Sequence, residues 1–286
     1  MPEASLDLAD DGELMLMMVE ANIVVVFVGI ESPNEASLRE TKKLQNLRKG
    51  GSMLDKVRAI QHAGLEVWSG MILGFDNDDP DIFDAHRRFI TEARIVNPLI
   101  NMLVAIPGTP LHARLKVAGR LDPSDEHPHG TNVIPLQMSR EELQEGSLAL
   151  SRDLYQASAY FDRLDALYLD EEIEPEPARK RYLSRHRWRW LQANAIFLIQ
   201  AGAILLGLLR RVPEVELSCQ YRDRMWRALK RRRDPILLRI YALKCAVHYH
   251  MHVMIREGGD NPYWGGTPFT AAFDIRVADR VDERAA

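Results

Sequence analysis

Glu31 and Ser32 close the run Val24-Val25-Val26-Phe27-Val28-Gly29-Ile30, which carries no charge, and Pro33 follows at once. A carboxylate in that place can accept hydrogen bonds from ribose hydroxyls or from an amino group. Two later segments end in a comparable way, Gly70-Met71-Ile72-Leu73-Gly74 and Pro107-Gly108-Thr109-Pro110. Glycines placed as Gly70 and Gly74 are, on either side of Ile72, let a flat ring or a ribose approach the backbone, because no Cβ stands in the way. Pro107, Gly108 and Thr109 form a rigid turn that offers backbone groups at a fixed height. Each signal is weak alone; in chain order they describe one wall of a nucleotide-sized hollow.

Other chemistry-bearing groups are less convincing. Asp76, Asp78 and Asp79 could hold a hard cation, but they follow a strand and precede Pro80, where helix capping explains them better. In His248-Tyr249-His250-Met251-His252, a helix brings together only His248 and His252, and two histidines without a carboxylate make a poor metal site. His127 and His129 sit in a polar linker. The two cysteines, Cys219 and Cys245, are too few for a disulfide framework and fit a reducing, cytoplasmic setting.

The elements that must carry these residues alternate. Unbroken apolar runs read as strands buried on both faces at 24–30, 66–73 and 99–106, with a shorter strand-like alternation at 5–9. Between them lie helical patterns: one opened by Asp10, Asp11 and Glu13, one capped by Ser52 and stopped at Gly64, and one started at Asp79-Pro80. Ser37 and Glu40 have the spacing of a capping box, and a basic segment runs over 42–49. Strand and helix in alternation predict right-handed βαβ units and a parallel sheet. Four strands are too few to close a barrel.

From about residue 121 the pattern changes. Residues 122–138 read as a linker, 139–257 as helical throughout from a capping box at Ser139 and Glu142, and 258–286 as an irregular tail. The expected fold is therefore α/β, a partial (β/α) barrel over 1–121 followed by an all-α region. At 286 residues the chain can bury a substantial core; 46% hydrophobic residues, 27% charged residues and a net charge of -4 suit a folded protein that is not a nucleic-acid binder.

The segments VFVGIESPNEASLRETKK, GLEVWSGMILGFDNDDP and AIPGTPLHARL resemble the second half of the barrel of cobalamin-binding radical SAM proteins. Within that group the chain is most similar to the branch that includes hopanoid methylases, whose barrel is followed by a helical domain of unknown role. The resemblance implies contacts to S-adenosylmethionine. Glu31 and Ser32 would lie at its ribose or amino end; Gly70, Ile72 and Gly74 would flank the adenine; Pro107, Gly108 and Thr109 would complete the wall. It also implies a [4Fe–4S] cluster and cobalamin, but the CxxxCxxC loop and the cobalamin domain of such proteins have no counterpart here. Two cysteines in the helical region cannot substitute, since a cluster calls for three or four thiolates. The expectation is the later part of a radical methyltransferase, inactive alone and aggregation-prone, completed by a separate polypeptide with the first strands. The alternatives are a non-catalytic membrane- or partner-docking module and a truncated gene product.

Residues 192–209 carry no charge and are flanked by Arg185, Arg187 and Arg189 on one side and Arg210 and Arg211 on the other. Gln192, Asn194 and Gln200 weaken a spanning reading, so a buried or membrane-surface helix is expected. Together with the basic stretch 222–233, which holds Trp226, region 185–233 suggests contact with anionic headgroups at the inner membrane.

Overall fold

The computed structural model describes residues 1–40, 51–122, 130–171 and 173–257. The basic segment 42–49, the linker histidines His127 and His129, and the tail 258–286 lie outside the described residues.

Four strands form one parallel sheet in the order β1-β2-β3-β4: β1 (Glu3–Ala4), β2 (Val25–Glu31), β3 (Glu66–Leu73) and β4 (Pro98–Met102). Alternation along β2 buries Val26, Val28 and Ile30 on one face and leaves Phe27, Gly29 and Glu31 half-buried on the other. Each such fully buried aliphatic side chain contributes roughly 1.5–3 kcal/mol. On β3 and β4 the half-open face continues through Gly70, Ile72, Leu99 and Asn101.

Two strand boundaries differ from expectation. Residues 5–9 are not a strand: Leu6–Asp10 is a 3-10 turn. The Leu8 amide donates to the Ser5 carbonyl at 3.1 Å and the Ser5 hydroxyl bonds Asp7, so local closure replaces the ladder. The last strand ends at Met102 rather than at residue 106. Beyond it the Asn132 side chain takes both the N–H and the C=O of Ala105, at 2.8 and 2.9 Å, standing in for a neighbouring strand.

The helices that follow the strands in chain order are α1 (Gly12–Glu20), α2 (Glu35–Glu40), α3 (Met53–His62), α4 (Ile82–Glu92) and α5 (Pro110–Val117). Ser52 and Asp55 cap α3 reciprocally, and Gly64 follows its end at φ +102°, as the pattern predicts. Ser37 and Glu40 do not form a box. Asn34 caps α2, its Oδ1 accepting the Ala36 amide at 2.9 Å, which places Ser37 inside the helix.

The rest is helical: α6 (Arg140–Leu154), α7 (Ala157–Asp165) running into a π-helical turn (Ala166–Asp170), α8 (Pro177–Ser184), α9 (Arg187–Leu209), α10 (Val215–Arg232) and α11 (Pro235–Glu257). The box at Ser139 and Glu142 opens α6. Among the described residues one helix, α9, is long and apolar enough to cross a membrane. It packs along α11 but only 17% of its apolar window is buried, so the buried-helix expectation does not hold.

These helices grip the sheet at the amino-terminal ends of its strands. Lys244 on α11 pairs with Glu66 at the start of β3, donates to Asn97 Oδ1 at 2.7 Å and lies 4.9 Å from the Trp68 ring. Trp68 Nε1 and the Tyr168 hydroxyl also donate to the Glu66 carboxylate, at 2.7 and 2.9 Å. Arg163 donates to the Ile95 and Leu154 carbonyls, and Tyr155 to that of Pro98. Burial draws Lys244 below its ordinary pKa while Glu66 opposes this, and burial lowers Arg163 to about 10.

Candidate functional site at the strand tips

The half-open face is lined by the residues whose spacing drew notice. In the register of the sheet Gly29 stands beside Gly70, and Gly70 beside Leu99. Two adjacent glycines leave a shallow patch of bare backbone, which two side chains roof. A Cβ on Gly29 would come within 2.9 Å of the Glu31 carboxylate, and one on Gly70 within 3.1 Å of the Phe27 ring. Glu31 reaches that position through a bulge: Gly29 pairs with Gly70, yet Glu31 pairs with Met71, so two β2 residues advance against one on β3. Its backbone is left-handed, at φ +70°.

Ile72 lies two residues above Gly70 on the same face. Ser32 is fully buried, its Oγ accepting the Asn34 amide at 3.1 Å, so it shapes the turn rather than facing solvent. Gly74 turns the chain at φ +97°, and the space of its missing Cβ is taken by Leu143 of α6, at 2.8 Å. Pro107 and Gly108 are exposed beyond the end of β4, and Thr109 caps α5, accepting the His112 amide at 3.2 Å. Glu31, Gly70 and Ile72 thus share one face, Ser32 and Gly74 hold the loops behind it, and Pro107 and Gly108 lie exposed in the loop between β4 and α5.

Those loops are stitched together by polar groups. Asp78 accepts the Gly74 and Phe75 amides at 3.0 and 3.1 Å and the Ser37 hydroxyl at 2.7 Å, tying the loop after β3 to α2. Burial raises its carboxyl against the lowering effect of these donors. Glu40 accepts the Asp76 amide at 3.0 Å, and Arg114 on α5 bridges Glu40 and Asp76 at 2.6 and 2.7 Å. Although burial works the other way, Arg120 and Arg114 hold the Asp76 carboxyl below its usual range. Asp76 and Asp78 therefore tie loops together instead of capping a helix, whereas Asp79 keeps a local role: its Oδ1 accepts the Asp81 amide at 3.0 Å in the turn that leads into α4.

His86 went unread in the sequence. It is fully buried on α4, and its ring lies against the backbone of Ile82, Glu31 and Ile72, beneath the tips of β2 and β3. Burial drives it down to about 4, so it is neutral at ordinary pH. The only sequence signal was its spacing, midway between Ile82 and Ile90 on an otherwise apolar stripe. Gly29, a lone glycine inside a strand pattern, was a clearer one.

Elsewhere, His248 is engaged at both nitrogens, by the Tyr221 hydroxyl at 2.7 Å and the Tyr155 carbonyl at 3.0 Å. Among the described residues no group of three metal-capable side chains occurs. Cys219 lies half-buried on α10 and Cys245 buried on α11, both far in sequence from the strand tips. A cleft of about 620 Å³ in the helical region, lined by Arg152, Tyr155, Leu217, His252 and Arg256, is separate from the glycine patch.

Comparison with known proteins adds to this geometry. A family described as "Domain of unknown function (DUF4070)" matches residues 109–261. The chain is 40% identical over 164 residues to an uncharacterized methyltransferase of Synechocystis sp., a match covering 56% of this chain and 30% of that protein. It is 37% identical over 132 residues to the hopanoid C-2 methylase of Rhodopseudomonas palustris, covering 46% and 25% respectively. It is 28% identical over 143 residues to the bacteriochlorophyllide d C-12(1)-methyltransferase of Chlorobaculum tepidum, covering 48% and 30%. The chain thus spans less than a third of the length of each of these relatives.

Proposed function

Since the chain belongs to the DUF4070 family, and relatives bear the names of methylases, we propose that it forms the later barrel wall and helical domain of a radical S-adenosylmethionine methyltransferase. The observation that carries this reading is the paired glycine patch of Gly29 and Gly70, with the Glu31 carboxylate folded over it by the β2 bulge.

The patch fits the nucleoside part of S-adenosylmethionine. The small residues Gly29 and Gly70 let the Glu31 carboxylate and the Phe27 ring lie close over the strands. The nucleoside rests against those two side chains and Ile72, with Glu31 accepting from ribose hydroxyls or the amino group. Pro107 and Gly108 extend this wall from the loop between β4 and α5, while Gly74 and Thr109 hold the turns. His86, neutral and buried with its Nδ1 on the Ile82 carbonyl at 3.0 Å, lies beneath the strand tips without adding charge there. When bound, S-adenosylmethionine would supply a methyl group from one molecule and, from a separate molecule cleaved by one electron from a cluster, a carbon radical that abstracts a hydrogen atom while methionine leaves.

The residues described do not fit the other two groups that the resemblance implies. Cys219 and Cys245 stand on α10 and α11 and cannot ligate a [4Fe–4S] cluster at the strand tips. Among the described residues no histidine side chain is placed on the glycine face to meet cobalamin. On this reading a cluster and cobalamin would be held by residues other than those described here. An unactivated carbon in a lipid-like molecule is the substrate class nearest to the relatives' names.

Isothermal titration with S-adenosylmethionine and with its demethylated product tests this, on the chain alone and with a polypeptide bearing the first strands of such a barrel. The expected result is binding that strengthens on completion and weakens about tenfold in Glu31→Gln and in Gly70→Val. Binding unchanged by both substitutions would overturn the reading.

A further inference from the structure

The outward side of α9 differs from every solvent face around it. From Trp190 to Leu209 it carries no charged residue, although most of those side chains are not packed into the protein. Trp188, Ile196, Ile199 and Leu206 recur at helical spacing and are 81%, 51%, 69% and 52% exposed. They make an apolar stripe about 27 Å long at the rise of an α-helix. An exposed helix normally shows charges there, as α6 does with Glu141 and Glu145.

The opposite side of α9 is already occupied, and by ions. Arg239 lies 4.6 Å from the centre of the Phe197 ring and Arg179 lies 5.8 Å from it; both guanidinium groups pair with the buried carboxylate of Glu176. A helix crossing a bilayer from this bed would drag that cluster into hydrocarbon, a prohibitive transfer. Gln192, Asn194 and Gln200 oppose spanning as well. The stripe can therefore meet a lipid surface side-on.

Its ends say what kind of surface. Arg185, Arg187 and Arg189 crowd one end around Trp188 and Trp190, and Arg210 and Arg211 stand at the other. Among the described residues no acidic side chain pairs with Arg185, Arg187, Arg210 or Arg211. Tryptophan beside arginine, flanking an uncharged stripe, matches the layered polarity of a membrane interface with its anionic phosphates.

We propose that α9 is an in-plane docking surface for a bilayer carrying anionic lipid headgroups, with the stripe from Trp188 to Leu206 sunk in the interfacial layer and the arginines at both ends on phosphates. The proposal rests on α9 and its flanks and stands independently of the chemistry assigned to the strand tips. It gives physical content to a membrane contact that the sequence only suggested through region 185–233.

Flotation of the full chain with phosphatidylcholine vesicles, with and without phosphatidylglycerol, provides the test. Binding to the anionic vesicles is expected, with a blue shift of tryptophan emission that is reduced in Trp188→Ala. The double change Ile196→Glu with Ile199→Glu, at two exposed positions, should lower partitioning about tenfold or more while the circular-dichroism spectrum is unchanged. Replacing Arg185, Arg187 and Arg189 by Gln should abolish the preference for anionic vesicles. Equal partitioning of wild type and the double variant, or no partitioning by a folded wild type, overturns the proposal. So does a vesicle-independent dimer that the double variant dissolves, since a second copy would then cover the stripe.

Discussion

The two ends of the sheet are built on opposite principles. At the amino-terminal ends of β3 and β4 an ion pair is buried and fully engaged: Lys244 and Glu66, with the neutral Asn97 amide beside them, are each almost entirely out of solvent. At the carboxyl-terminal tips Glu40, Asp76, Arg114 and Arg120 pair nearer the surface and link loops, while Asp78 is buried on backbone amides. Gly29 and Gly70 there let the Glu31 and Phe27 side chains lie close over the strands. Removing one partner of a buried pair strands a charge, whereas a pair near water is replaced by solvent. The contrast teaches that one end is a joint and the other a mouth, as parallel α/β folds with loops at the strand tips lead one to expect.

The largest effect should come from breaking the joint. Lys244→Ala leaves the Glu66 carboxylate buried without its cation and should destabilise the chain by about 3–5 kcal/mol, read by urea denaturation. A loss below about 1 kcal/mol would mean that water reaches Glu66 and that the two ends are alike.

Acid should act on both ends. His86 under the tips and His248 in the helical region are each lowered to about 4 in the folded protein, from 6.5. A depressed histidine adds stability that is whole above the unfolded value and is lost as pH falls through the window from 6.5 to about 4. The loss is roughly 1.4 kcal/mol per pH unit for each ring. Asp78, raised by burial, works in the opposite sense at the acidic end of that window. His86→Gln and His248→Gln should each flatten the profile, and the comparison apportions the acid sensitivity between mouth and helical region.

At the mouth itself smaller effects are expected. Asp78→Ala frees the Gly74 and Phe75 amides and should destabilise by about 1–3 kcal/mol. Raised hydrogen exchange should stay confined to the loop after β3, and spread into α11 would contradict separate behaviour of the two ends. Arg114→Ala, at a half-exposed pair, should change the stability read by denaturation by less than about 1 kcal/mol.

The half of this comparison that depends on local pattern was legible in the sequence. β3 matches its expected bounds, because an apolar run between Gly64 and Gly74 leaves little choice of ends. That Glu31 and Gly70 lie on neighbouring parallel strands was legible from the strand–helix alternation, whereas the bulge that pairs Glu31 with Met71 was not. The joint was not legible, since Lys244 and Glu66 are 178 residues apart and neither has a distinctive neighbourhood. Nor was the fate of α9: hydropathy gives the same value whether such a helix is packed inside or laid bare. His86 was missed because an apolar helical stripe hides a histidine that burial keeps neutral, and Ser37 was misread because its hydroxyl bonds Asp78, 41 residues away, instead of its own helix end.

Glu31 is one of few described residues other than glycine with a left-handed backbone, and it occupies the bulged tip of β2. Such a conformation is easier for glycine by about 1 kcal/mol. A selection for stability alone would therefore favour Glu31→Gly, giving a hardier chain without the carboxylate that lies over Gly29. A carboxylate set against its own backbone preference makes this position a ready gauge of trade-off: if the proposed nucleoside reading holds, variants that melt higher at residue 31 are the ones expected to bind S-adenosylmethionine more weakly.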